Sequence, residues 1–70
     1  MIRQLERYRR RGCRVEVIYL DRHGQLSQRE VVILSIRGGR VRVYCYAKDG
    51  IREFIADNIL AIMPAKGLAS

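Results

Sequence analysis

Seventy residues carrying a formal net charge of +7 make one small basic domain, because two cores in so short a chain would each be too small to offset chain entropy. About half of the residues are hydrophobic, which excludes a disordered basic tail, and no apolar run approaches ~18 residues, which excludes a spanning helix. One histidine and two cysteines, without a Cys-x-x-Cys pair, exclude a metal-built fold, so no metal and no cofactor is expected.

Twelve of the fourteen basic residues are arginine. The planar guanidinium pairs with phosphate and stacks on bases, so nucleic acid is the natural partner class, with an anionic membrane surface second. Codon bias in a GC-rich genome would give the same skew. The charged N-terminus lacks the apolar core of a signal peptide. Cys13 and Cys45 fit a reducing cytoplasm, where free thiols act as small hydrophobes; a disulfide or a redox switch are the alternatives.

Residues 2–11 (IRQLERYRRR) predict a helix ended by Gly12, with Ile2, Leu5 and Tyr8 as a narrow apolar stripe. Arg3, Arg7 and Arg10 fall on another face, either as solvated surface or as phosphate contacts, and Glu6 is placed to pair with Arg3 or Arg10. From Cys13 to Leu20 the period changes to two, with Cys13, Val15, Val17 and Tyr19 on one face. Asp21 to Gly24 has turn chemistry and leaves His23 at a loop tip without a partner acid or nucleophile.

Gln25–Ile36 predicts a long strand whose apolar run Val31–Leu34 is buried on both faces where the strand bends between layers. After an Arg37-Gly38-Gly39 turn, residues 40–46 alternate: Val41, Val43 and Cys45 against Arg40, Arg42, Tyr44 and Tyr46. Asp49-Gly50 predicts a tight hairpin. With these two as the loop, Cys45 faces Phe54 and Tyr46 faces Glu53. A loop one residue longer pairs Tyr46 with Arg52 and Tyr44 with Phe54, and such a slip exchanges the faces. Asp57-Asn58 suits a helical turn, Ile59–Met63 a last strand stopped by Pro64, and residues 65–70 a frayed tail.

The fold class expected is mainly β: a small SH3/Sm-like antiparallel barrel of about five strands, residues 13–64, with a short basic N-terminal helix, residues 1–12, packed on it.

The order of features over residues 14–62 resembles the WYL domain family. Ile18-Tyr19 followed by Asp21 and Gly24 looks like that family's first strand and turn, and Arg29-Glu30-Val31 like its next strand. Tyr44-Cys45-Tyr46 with Arg52-Glu53-Phe54 and Asp57-Asn58-Ile59 is similar to its aromatic strand, its Arg-x-Phe segment and a following Asp-Arg-Ile. The sequence departs from the pattern where the namesake Trp-Tyr-Leu falls near Gly39-Arg40-Val41, where a common proline is Ile33, and where the arginine of Asp-Arg-Ile is Asn58. What the resemblance implies is an isolated Sm-like barrel, without the usual helix-turn-helix or C-terminal extension, that senses nucleic acid or a nucleotide. By position it makes Arg52 the first ligand-binding candidate, with Arg29 and Tyr44 after it; His23 lies outside the motif.

The function expected is therefore a non-catalytic module for single-stranded DNA or RNA, or a nucleotide, in the cytoplasm. Arg40, Arg42, Tyr44 and Tyr46 share one strand face that would supply charge and stacking, and the hairpin register decides whether Arg52 stands beside Tyr46 or on the other face, unless the tyrosines only cover the barrel's outer face. The alternative is a protein-interaction or assembly module, self-associating or paired with a separate regulator chain. No base, nucleophile or metal set is readable, so an enzyme is not expected.

Overall fold

A computed structural model describes residues 2–65 of the chain. It begins with helix α1 (Ile2–Arg11), whose last turn carries Arg9, Arg10 and Arg11, the charge sign that a helix C-terminus favours. Leu5 is wholly buried and Tyr8 packs beside it, while Ile2 stays exposed. Gly12, at φ +64°, ends the helix by donating its N–H to the Tyr8 carbonyl at 3.0 Å, a conformation that costs glycine little. Glu6 does not pair with Arg3 or Arg10. It accepts from Arg9 Nε at 2.7 Å, three residues along the same face.

Five strands follow: β1 (Arg14–Leu20), β2 (Leu26–Arg37), β3 (Arg40–Cys45), β4 (Gly50–Ile55) and β5 (Ile59–Pro64), with a 3-10 turn at Ala56–Asn58 before the last. They form one antiparallel sheet in the order β4-β3-β2-β1-β5. The architecture is mainly β with a short N-terminal helix. β4 and β5 remain the two edges, so the sheet is not closed by a hydrogen-bonded ladder. Pro64 is the last residue of β5 rather than a stop before it; at an edge its missing N–H costs no ladder bond. Ala65, expected to fray, is buried and donates its N–H to the Arg14 carbonyl at 3.1 Å. The expectation for residues 66–70 lies outside the described residues.

Local chemistry sets the connections. The Asp21 carboxylate accepts the backbone N–H groups of His23 at 2.8 Å and Gln25 at 2.9 Å, which folds the β1–β2 turn. Gly38 and Gly39, at φ +58° and +79°, make the two-residue turn between β2 and β3. The apolar run of β2 is not covered on both faces throughout. Val31 and Ile33 are buried and Leu34 is exposed, because alternation places Leu34 on the outer face, and a bulge there brings Ser35 opposite the outward Arg42.

The β3–β4 connection departs most from expectation. Asp49-Gly50 is not the two-residue loop. The turn spans Tyr46 to Asp49, with Asp49 at φ +51°, and Gly50 already pairs with Cys45. Phe54 lies opposite Val41 and Arg52 opposite Val43. Neither register considered from sequence occurs, yet the slip from the first is four residues, an even number, so every side chain that stays in the two strands keeps its face. Val43, Cys45, Phe54 and Ala56 do share the core. With Val15, Val17, Val31, Val41, Ile59 and Leu5 they form one buried cluster under the helix.

Candidate functional site

Residues directly opposite one another on antiparallel strands share a face, so the ladder states what lines the interior of the curved sheet. On β1 the core-facing residues run Val15, Val17, Tyr19, and their partners on β2 are Val31, Arg29 and Ser27. Toward the end of β1 the interior therefore changes from aliphatic to polar. Arg52, opposite Val43 and two residues from Phe54, faces the same interior from β4.

These side chains meet at a cavity of about 260 Å³ lined by Tyr19, Asp21, Ser27, Arg29, Lys48, Arg52, Glu53 and Phe54. Its wall is aromatic: the Tyr19 and Phe54 rings stack with centroids 4.3 Å apart and planes 25° apart. Its charge is mostly positive. Among the described residues the ion pairs are Arg9–Glu6, Arg14–Glu30 and Arg40–Glu53, so Arg29, Lys48 and Arg52 are paired with no carboxylate there. Arg29 is half-buried and places Nη1 4.0 Å from the Cys45 sulfur. Burial pushes the Cys45 thiol up, but the N–H groups of Lys48 and Ala47 and the Arg29 guanidinium together bring it below the usual thiol range. Cys13 and Cys45 are both free. The backbone N–H groups of Gln25 and His23 hold the Asp21 carboxyl below its ordinary value, so the acid at the rim is ionised at neutral pH.

The other expected site residues lie elsewhere. Arg40, Arg42 and Tyr44 point to the outer face of β3, whereas Tyr46 is the first residue of the turn. The tyrosines are engaged within the chain. Their rings meet edge to face at 5.0 Å, Tyr44 donates its hydroxyl hydrogen to the Asp49 carboxylate, and the Arg14 guanidinium lies 4.1 Å above the Tyr46 ring while reaching Glu30 at 3.1 Å. The bond to Asp49 raises the Tyr44 hydroxyl above its usual value. A base stacking on that face of Tyr46 would have to displace Arg14. Arg52 and the tyrosine strand thus lie on two surfaces, one on each side of the sheet, the faces that the two-residue loop implied and the longer loop did not. Arg3, Arg7 and Arg10 do gather, with Glu6 and Arg11, around a shallow hollow of about 490 Å³ on the helix.

Tyr19, Ser27 and Lys48 were not singled out as site residues from sequence. The available signal for the first two was polarity at core-facing positions: Ser27 and Arg29 interrupt the inward aliphatic pattern where Tyr19 begins to need a polar outlet. Lys48 comes to the mouth only through the four-residue turn, which the sequence does not announce.

No protein-family model matches the sequence, and no curated protein matches it. Among solved structures, a segment of proteasome accessory factor B/C (PafBC) of Arthrobacter aurescens superposes with a TM-score of 0.79 and 21% sequence identity, over 93% of this chain and 11% of that one. The chain shares the fold of that segment. At this identity the likeness is one of fold alone. Arg29 and Arg52, the two arginines assigned by resemblance, line one cavity. Tyr44, the third, does not join them.

Proposed function

We propose that the protein is a non-catalytic sensing module, a WYL-like domain, whose interior mouth binds a phosphate-bearing ligand: single-stranded nucleic acid or a nucleotide effector. The observation that carries the reading is the convergence of Arg29, Lys48 and Arg52 on one aromatic-walled cavity, free of carboxylate partners among the described residues. Three cations against the carboxylates of Asp21 and Glu53 leave the lining net positive, and a bound phosphate offsets that excess while accepting charge-assisted hydrogen bonds. The Tyr19–Phe54 wall offers a base an apolar surface beside them.

Fluorescence anisotropy of labelled single-stranded oligonucleotides across a salt series tests it. Wild type binds at low salt, and Arg52→Ala and Arg29→Ala each weaken binding by about tenfold or more, the scale of a charge-assisted contact. Undetectable binding at low salt overturns the reading. Binding that neither substitution changes reduces it to diffuse electrostatics.

The edges favour a second reading. β4 and β5 are both unpaired on one side and carry exposed Ile51, Ile55 and Leu60, a surface suited to self-association or to another chain. Under it, the apparent mass in sedimentation velocity rises with concentration, and Ile51→Lys abolishes the rise. A constant monomer mass removes the self-association form of this alternative.

A further inference from the structure

The mouth does not end at its own walls. It shares Tyr19, Asp21 and Glu53 with an adjoining hollow of about 450 Å³ that adds Arg22, His23, Arg40 and Ile55. That hollow shares Arg40 and Glu53 with a third, of about 280 Å³, which adds Ser35, Arg37 and Arg42. A path therefore leads from the interior mouth, over the edge strand β4, to the outer face of β3. Cations stand along its whole length: Arg29, Lys48 and Arg52, then Arg22 and Arg40, then Arg37 and Arg42. Carboxylates stand between them, with Asp21 and Glu53 where the first two hollows meet and Glu53 again where the second meets the third.

We propose that this path is a track for one extended single strand of nucleic acid, with a phosphate in the mouth and later phosphates on the Arg22–Arg40 and Arg37–Arg42 stations. The proposal rests on the reading of the mouth as a phosphate site. Alternation of cations with carboxylates suits a ligand that alternates phosphate with sugar and base. The carboxylates can accept hydrogen bonds from base amino groups, as they do from cytosine, whereas they oppose a uniformly anionic lipid surface. A duplex does not fit. The path turns around an edge in a molecule only 22 by 21 Å across its shorter axes, while duplex DNA bends smoothly over about 500 Å. A mononucleotide fits but leaves the later stations empty. The track accommodates on the order of four nucleotides, the short end of what a small barrel covers.

This arrangement gives Arg40 and Arg42 a task that the tyrosines do not share. It also assigns the Arg40–Glu53 pair, 3.3 Å apart and exposed, as the point where an incoming phosphate competes for Arg40.

The test is equilibrium binding of labelled oligodeoxycytidylates of one, two, four and six residues, each carrying a 5′-phosphate. Affinity rises to the tetramer and then levels. The double variant Arg37→Ala/Arg42→Ala brings the tetramer down about tenfold, toward the dimer, and leaves the mononucleotide unchanged. Arg3→Ala/Arg7→Ala, which removes the same charge from the helix, leaves the length dependence intact. All four substituted positions are exposed, and circular dichroism confirms the fold of both variants. Affinity independent of length, or an equal loss in the helix variant, overturns the track while the mouth reading stands. If no member of the series binds, the mouth reading fails and the track with it.

Discussion

Arg29 sits where an aliphatic residue would complete the interior of β2, opposite Val17. Holding a guanidinium there is unfavourable unless something accepts its hydrogen bonds, and the 4.0 Å contact to the Cys45 sulfur is a weak acceptor. For the proposed phosphate its worth would lie in the fork geometry. Arg29→Lys should therefore lose most of the affinity that Arg29→Ala loses, while the exposed Arg52 should tolerate lysine within about threefold; anisotropy on the two lysine variants separates them. Asp21 supports the rim in another way. Its pKa is lowered in the folded protein by the N–H groups it accepts. A lowered carboxyl adds stability above its unfolded value and loses it as pH falls through the folded one. Wild type should melt above Asp21→Ala at pH 7, and the gap should shrink as pH drops below about 4. Thermal melts from pH 7 to pH 2 check the sign, and a gap that widens in acid would be contrary to the account.

The elements were readable from periodicity wherever one face is buried. Leu5 and Tyr8 of the helix stripe (though not Ile2), the alternation of β1 and β3 and the inward set Val41, Val43, Cys45 and Phe54 all follow from which residues avoid water. Turn length was not readable. Asp49-Gly50 has the chemistry of a two-residue loop, yet Tyr44 and Tyr46 pack on each other and Asp49 accepts from Tyr44, contacts that a wider turn permits and local propensity does not encode. The face of Arg52 survived this error only because the slip was even. Tyr46 did not survive it: it left the strand and lies under Arg14. The helix is the element whose hold is easiest to measure. Leu5 is its wholly buried residue, and Leu5→Ala should cost about 3 kcal/mol, a large share of the roughly 4–10 kcal/mol available to a domain of this size. Urea denaturation should show a lower midpoint with fluorescence and circular dichroism moving together. An unchanged midpoint would mean that α1 is a passenger.

At the scale of the whole molecule, the sheet puts its basic residues on separate surfaces. The interior mouth holds Arg29, Lys48 and Arg52, the outer face holds Arg40 and Arg42 beside self-engaged tyrosines, and the helix carries Arg3, Arg7 and Arg10. Net charge alone treats these surfaces alike, since it draws any polyanion by long-range attraction. Site geometry distinguishes them: only the mouth combines a cavity, an aromatic wall and cations without carboxylate partners among the described residues. The direct measurement is an amide-resolved NMR titration of the 15N-labelled protein with a short 5′-phosphorylated single strand in ~0.15 M salt, where exposed charges are screened beyond about 8 Å. The first and largest shifts should fall on Ser27, Arg29, Lys48 and Arg52, with the amides of α1 nearly still. Shifts that begin on Arg3, Arg7 and Arg10, or on Tyr44 and Tyr46, with the mouth unmoved, would contradict binding at the mouth.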